Sequence, residues 1–256
     1  MSARAAPLTI RNAYGERLDT ALTRPAADDA HAPDADAPAA VVVIAHGVTG
    51  QHDRPWLVAL SEALADGGLA SLRVSFAGNG RSEGRFEDAV PSKEVEDLGS
   101  VLDALEAWGV ERLAYVGHSM GGAIGVLRAV TDPRITALVS LAGMLHVRAF
   151  FERVFGPLPF GAPMLDKPEC PWNPALADDA ARIGSLTADA ARVGVPWLLV
   201  HGDADELVPY GDSLDARCAA GGRPDLVTLP GVDHRFTGAV AEMTGAVVPW
   251  LCRHLL

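Results

Sequence analysis

The stretch RLAYVGHSMGGAIGVLRAV, residues 112–130, decides the fold. It begins as an apolar run that ends at Val116, passes through a glycine-rich turn and continues as a helical pattern. The turn fits G-x-S-x-G, in which a serine lies between a buried strand and a helix. Gly117 and Gly121 carry no side chains that would collide where strand and helix meet. The stretch therefore predicts that Ser119 is a nucleophile on a strained turn, and a glycine-rich turn with an incidental serine is the alternative.

Further apolar runs lie on both sides of this stretch. They do not alternate between apolar and polar residues, which is typical of strands buried on both faces of a parallel sheet. Between them, apolar residues recur every three or four positions at 93–108 and 240–251, which predicts amphipathic helices, the second with a kink or restart at Pro249. The predicted strands comprise residues 39–45, 69–76, 112–116, 135–141, 197–200 and 226–229.

The alternation of strands and helices predicts an α/β fold, with a mostly parallel central sheet flanked by helices. Two segments depart from the alternation. Residues 26–40, rich in Ala, Asp and Pro, are expected to form an exposed loop. Residues 144–192 are too long for an ordinary connection and carry five aromatic residues. We therefore expect a cap or lid at 144–192, inserted into a core formed by residues 1–143 and 193–256.

A serine hydroxyl becomes a good nucleophile only when a base removes its proton, and the base needs an acid to orient it. With this kind of turn, the acid and then a histidine follow the serine along the chain. The predicted base is His234, in the loop after the last predicted strand, and His254 in the terminal helix is a weaker candidate. Three carboxylates in the loop after residue 200 compete for the role of the acid: Asp203, Asp205 and Glu206.

The negative oxygen that develops during acyl transfer needs hydrogen-bond donors that are fixed before the reaction. One expected donor is the backbone N–H of Met120, directly after Ser119. The other is the N–H of Val48, in the loop after the strand at 39–45, where Gly47 lets the backbone approach a substrate. A simple turn that ends the strand is the alternative for this loop.

No cofactor is expected. The histidines form no H-x-x-x-H pair, so no metal site is predicted, and no G-x-G-x-x-G follows a predicted strand. The three cysteines lie outside any C-x-x-C pattern and are expected to be free thiols. Because no secretory signal is visible in the first residues, the cytoplasm is the expected compartment.

The charge balance excludes several classes of partner. The chain carries 33 acidic and 21 basic residues, a formal net charge of −12. Nucleic acids and anionic membrane surfaces attract clustered Lys and Arg, so neither is an expected partner. No apolar run is long enough to cross a bilayer. The expected partner is a small-molecule substrate, and the sequence leaves the oligomeric state open, with a homodimer among the expectations.

Together, these motifs resemble the α/β-hydrolase superfamily, and within it bacterial esterases similar to cinnamoyl (feruloyl) esterases and serine-aminopeptidase-like hydrolases. The resemblance implies that Asp205, rather than Asp203, is the acid and that His234 is the base. The insertion at 144–192 does not align with the cap of the cinnamoyl esterases, so aromatic specificity is an analogy. The resemblance is carried by residues 46–54, 76–84, 117–122, 201–210 and 231–234.

The resulting hypothesis is a serine carboxylic-ester hydrolase that acts through an acyl-enzyme on small to medium esters, including cinnamoyl-type esters. Thioesters, amides or peptides, and lipid esters are the alternative substrates for the same triad. Ser119 argues against haloalkane dehalogenases and epoxide hydrolases, which resemble this pattern but place a carboxylate there. A binding module without catalysis is disfavoured because every candidate residue is present.

Overall fold

A single large sheet of mostly parallel strands organises the fold of the computed structural model, which describes residues 9–26 and 37–256. The strands in these ranges are β1 (Ile10–Arg11), β2 (Arg17–Thr23), β3 (Ala40–Ala45), β4 (Ala70–Ser75), β5 (Arg112–His118), β6 (Ile135–Leu141), β7 (Pro163–Met164), β8 (Lys167–Pro171), β9 (Trp197–Gly202) and β10 (Asp225–Leu229). Eight of them form the sheet in the order β1-β2-β4-β3-β5-β6-β9-β10. From β4 to β10 all neighbours are parallel, whereas β1, β2 and β4 pair antiparallel. The predicted fold class is confirmed.

Helices connect the strands and cover the sheet. In the described ranges they are α1 (Pro55–Asp66), α2 (Pro91–Trp108), α3 (Met120–Ala129), α4 (Val147–Val154), α5 (Pro174–Ile183), α6 (Thr187–Arg192), α7 (Gly211–Ala219) and α8 (Val240–Leu255), with a 3-10 turn at Phe86–Asp88. The α8 helix runs through Pro249, so no restart occurs there. Pro249 and Gly245, whose carbonyl loses its usual partner, are both exposed.

The central strand β3 separates the core into two apolar clusters. Every residue of β3 is buried, and successive side chains point to opposite faces of the sheet. Val43 belongs to the cluster that contains the apolar stripe of α2, and Ile44 belongs to the cluster under α1 and α8. Burial of each such side chain contributes about 1.5–3 kcal/mol. These two layers hold the sheet rigid beneath the loops at its edge.

Three further expectations from the sequence concern the predicted loop, the cysteines and membrane-spanning segments. Residues 27–36, the greater part of the predicted loop, lie outside the described residues. Cys170, Cys218 and Cys252 are free thiols, as expected. None of the helices in residues 9–26 and 37–256 combines the length and the apolar character needed to cross a membrane.

The insertion, residues 144–192, contains α4, the β7–β8 hairpin, α5 and α6. Its buried aromatic rings, Phe150, Phe151, Phe155 and Trp172, form a cluster with neighbouring ring centroids 5.5–5.9 Å apart. The cluster is continuous with the apolar layer that includes α2. These rings therefore serve core packing. The division of the chain into a core and a cap stays a prediction.

The carboxyl edge of the parallel strands carries all the predicted site residues. Gly47 follows β3, Ser119 follows β5, Asp205 follows β9 and His234 follows β10. Loops that leave the carboxyl ends of parallel strands meet at one edge, where α/β sheets bind their ligands. The topology thus brings together residues that are far apart in the chain.

We expect Phe151→Ala to lower the free energy of unfolding by about 3–5 kcal/mol, because it removes a buried ring from the aromatic cluster. Phe160→Ala is the matched control, since Phe160 lies in the same insertion but is 59% exposed. It should cost less than about 1 kcal/mol. Urea denaturation of both variants measures the difference, and equal costs would contradict the packing role of the cluster.

Candidate active site

Ser119 occupies a sharp turn between β5 and α3. Its backbone has φ 57° and ψ −119°, a region that non-glycine residues rarely adopt. The turn is fixed by the N–H of Ser119, which donates to Leu141 O at 2.9 Å, and by Ser119 O, which accepts from Gly122 and Met144 N–H at 2.9 and 3.0 Å. The strained serine predicted from G-x-S-x-G is present in this geometry.

The glycines around the turn are required by close backbone approaches. A Cβ at Gly117 would lie 2.1 Å from Gly121 O, and one at Gly121 would lie 2.5 Å from His46 O. A Cβ at Gly47 would lie 2.6 Å from Ser119 Cβ. These distances are far below ordinary contact, so any side chain would force strand, helix and loop apart.

Asp205 and His234 meet across the loops after β9 and β10. The Asp205 Oδ2 atom accepts hydrogen bonds from His234 Nδ1 at 2.7 Å and from His201 Nε2 at 3.1 Å. The Oδ1 atom accepts the backbone N–H groups of Leu207 and Val208 at 2.9 and 2.8 Å. Both oxygens of the buried carboxylate are therefore fully used, and the Nε2 atom of His234 is left to accept a proton.

The hydrogen bonds determine the charge of Asp205. Burial alone would raise the pKa of its carboxyl, but the hydrogen bonds from His201 and His234 outweigh burial and hold that pKa far below its usual range. His201 is itself fixed, because Val208 O also lies 3.1 Å from its Nε2 and Ser213 Oγ lies 2.7 Å from its Nδ1. The result is an ionised carboxylate that holds the imidazole of His234.

The other two candidate acids have different contacts. Asp203 accepts the N–H of Gly231 at 2.6 Å. Glu206 accepts the backbone N–H of His234 at 3.5 Å. Among the three, only Asp205 contacts the imidazole ring within the described residues. The geometry thus agrees with the acid that the resemblance implies.

The loop after β3 is held in place by His46. The Nδ1–H of His46 donates to Gly47 O at 2.8 Å, and its Nε2 accepts the N–H of Phe76 at 3.1 Å. Burial lowers the pKa of His46 to about 4, so the ring is neutral at pH 7. In residues 9–26 and 37–256, the N–H groups of Val48 and Met120 meet no hydrogen-bond acceptor. Both residues are buried. Because their N–H groups meet no acceptor in these ranges, both groups are available to donate hydrogen bonds beside Ser119.

A comparison with protein families identifies the family of this chain. The sequence pattern of the family described as serine aminopeptidase, S33, matches residues 36–165, half of the chain. The chain belongs to the serine aminopeptidase S33 family. It is an α/β hydrolase, in agreement with the resemblance seen in the sequence.

Proteins similar to this S33 hydrolase include two named hydrolases and a solved structure. Monoacylglycerol lipase of Mycolicibacterium smegmatis is 28% identical over 89% of this chain and 92% of its own length. Putative carbamate hydrolase RutD of Escherichia coli O44:H18 is 30% identical over 48% of this chain and 43% of its own length. Est1E of Butyrivibrio proteoclasticus, solved with ferulic acid bound, superposes with a TM-score of 0.84 at 26% identity, covering 96% of this chain and 98% of Est1E.

Ser119 and His234 line one cavity of about 360 Å³ in the S33 hydrolase. Its apolar wall includes Trp56, and its polar wall includes side chains that the sequence analysis does not single out. The apolar lining residues are Val48, Trp56, Phe150, Leu165 and Leu207, and the charged ones are Arg54, Asp166, Lys167 and Arg235. No cluster of His, Cys, Asp or Glu within the described ranges could hold a metal ion.

Two histidines contact the site without being predicted as catalytic. His201 bonds Asp205, and its only sequence signal is its place in the segment 201–210. His118 precedes Ser119, and its Nε2–H donates to His234 O at 2.9 Å with the two rings 4.7 Å apart. Burial, and then the neighbouring His234, lower the pKa of His118 to about 3. His118 is therefore a neutral support beneath His234.

The buried neutral histidines make stability depend on pH. In the unfolded chain His46 and His118 bind protons near pH 6.5, whereas in the folded protein they do so only at much lower pH. The contribution of the two neutral rings to the free energy of unfolding is therefore complete above about pH 6.5 and is lost as the pH falls towards 4. Between pH 7.5 and 5.0, each ring should lower the free energy of unfolding by about 2 kcal/mol.

We therefore expect His118→Asn to reduce the pH dependence of unfolding. Between pH 7.5 and 5.0 the variant should lose about 2 kcal/mol less stability than the wild-type protein. Urea denaturation at the two pH values measures this difference independently of the variant's absolute stability. The same loss in both proteins would show that His118 is not held neutral by burial.

Proposed function

We propose that this hydrolase is a serine esterase that cleaves carboxylic esters through an acyl-enzyme. The observation that carries the proposal is the convergence of Ser119, His234 and Asp205 at one edge of the sheet. The 2.7 Å bond between Asp205 and His234 supports the role of His234 as an oriented base. The N–H groups of Val48 and Met120, which meet no acceptor among the described residues, support an oxyanion hole beside Ser119.

The reaction begins when His234 Nε2 takes the proton of Ser119 Oγ, which attacks the ester carbonyl carbon. The ionised Asp205 stabilises the imidazolium that forms. The N–H groups of Val48 and Met120 donate to the tetrahedral oxyanion, and collapse expels the alcohol with a proton from His234. Water, activated by the same histidine, then releases the acid and restores Ser119.

The cavity favours small to medium esters. Its volume of about 360 Å³ is near the lower end of the range for small-molecule sites, about 300–1,000 Å³. Trp56 and Phe150 line it and offer flat apolar surfaces to an aromatic acyl or alcohol group. The similarity to Est1E, solved with ferulic acid, supports the inclusion of aromatic esters. Long-chain esters would extend beyond this volume.

Hydrolysis of p-nitrophenyl esters from acetate to laurate, together with methyl ferulate, tests the proposal. We expect the highest kcat/KM for short to medium acyl chains, and Ser119→Ala should lower it by about 10⁴-fold or more because no other group can form the acyl-enzyme. Ser100→Ala, in α2 and outside the cavity lining, is the control. No turnover of any ester, or full activity in Ser119→Ala, would overturn the proposal.

The three neighbouring carboxylates allow a sharper test of the acid. Asp205→Asn should lower kcat/KM by about 10⁴-fold, because an amide cannot stabilise the imidazolium of His234. Asp203→Asn is the matched control, since Asp203 binds only the backbone of Gly231 in the described structure and should leave most activity intact. Equal losses in the two variants would contradict the role of Asp205.

A further inference from the structure

The cavity that contains Ser119 is lined by positive charge, although the chain as a whole has a net charge of −12. Arg54, Lys167 and Arg235 all line it, and Asp166 is the one acidic residue among the described residues of the lining. An excess of cations in the cavity of an acidic protein needs a local explanation. Ion pairs among the described residues do not explain this excess of positive charge, as the contacts of Arg54 and Lys167 show.

Arg54 and Lys167 converge on a single backbone oxygen. The Nζ atom of Lys167 donates to Thr49 O at 2.5 Å, and the Nη2 atom of Arg54 donates to the same oxygen at 3.1 Å. An ammonium has three donors and a guanidinium five, so most of their hydrogen-bonding capacity is unused there. Within residues 9–26 and 37–256, no carboxylate lies within 4.0 Å of either charge. Lys93, by contrast, pairs with Glu16 at 2.8 Å.

The surroundings add to the positive potential at this point. Arg54 is the residue before the first turn of α1, which has no acidic residue, so the positive end of the helix dipole adds to its charge. Burial, and then the charge of Arg54, lower the pKa of Lys167 although Glu169 and Asp53 act in the opposite direction. Glu169 and Asp53 therefore offset only part of the effect of burial and of Arg54 on the pKa of Lys167.

We propose that Arg54 and Lys167 bind a carboxylate on the substrate, so that the preferred esters carry a second, negatively charged group. This inference rests on the proposed esterase function and names the substrate class for the same cavity. A carboxylate would accept from both side chains, as Arg and Lys bind carboxylates elsewhere in proteins. Arg54 and Lys167 are both half-exposed, and each keeps N–H donors that are not bonded to Thr49 O. Arg235, exposed beside His234, adds attraction for an anion at the mouth of the cavity.

A purely structural role for Lys167 gives a different expectation. Lys167 is the first residue of β8, in the insertion. Its hydrogen bond to Thr49 O joins the insertion to the loop that carries Val48. If that link were its only role, its loss would slow anionic and neutral esters alike. The ratio of kcat/KM for matched anionic and neutral esters separates the two roles, because it cancels any general damage to the loop.

Two matched pairs of probes place the anion on either side of the ester. Mono-p-nitrophenyl glutarate and p-nitrophenyl 5-methylhexanoate differ by a carboxylate against an isopropyl group on the acyl side. The butyrate esters of 4-hydroxybenzoate and 4-hydroxyacetophenone differ by a carboxylate against an acetyl group on the alcohol side. The wild-type enzyme should prefer the anionic member of at least one pair by about tenfold, as expected for one hydrogen bond to a charged group. Added salt should weaken this preference.

The variants assign the preference to the two cations. Lys167→Met and Arg54→Met should each lower the anionic-to-neutral ratio by about tenfold, and Lys167→Arg should retain it. Arg253→Met is the control, because it removes the same charge from the exposed end of α8. Turnover of both members without preference, or a ratio unchanged in both Met variants, would overturn this inference alone. Absence of turnover of all four probes would instead overturn the esterase proposal beneath it.

Discussion

The close crossing of β5 and α3 at Ser119 is the constraint on which the rest of the site depends. Because Gly117 and Gly121 have no side chains, strand and helix approach until a Cβ on Gly117 would lie 2.1 Å from Gly121 O. The approach leaves Ser119 at φ 57°, a conformation that costs about 1–3 kcal/mol and needs rigid surroundings. The two apolar layers on the faces of the sheet provide that rigidity. The same crossing sets the N–H of Met120 next to Ser119, so one backbone turn carries both the proposed nucleophile and a proposed donor for the oxyanion.

The electrostatics of the cavity come from two different parts of the chain. Residues 193–256 carry the ionised Asp205 behind the cavity, where His234 and His201 hydrogen-bond its carboxylate at 2.7 and 3.1 Å. The insertion provides Lys167, which meets Arg54 of the core at a single carbonyl oxygen. The proposed triad thus lies outside residues 144–192, whereas the charge that faces a substrate depends in part on Asp166 and Lys167 within that segment.

The sequence predicts the fold well where one physical signal dominates. Strands buried on both faces appear as apolar runs, and β6 has the predicted bounds, Ile135–Leu141. The α1 helix is not predicted, because partly exposed apolar residues such as Trp56 and Val58 blur its buried stripe. In the site, G-x-S-x-G alone makes Ser119 the candidate nucleophile, but spacing cannot separate the three carboxylates that follow β9. The contact of Lys167 with Thr49 joins residues 118 positions apart. No local pattern encodes such a contact, because it depends on how the insertion packs.

Covalent labelling tests most directly whether Ser119 is an activated nucleophile. The intact protein would be treated with a fluorophosphonate, and the site of the adduct would be mapped by mass spectrometry of its peptides. We expect a single adduct on Ser119, formed much more slowly in His234→Ala because the base is missing. An unmodified protein, an adduct on another serine, or labelling that is unaffected by the loss of His234 would contradict the activation of Ser119 by His234.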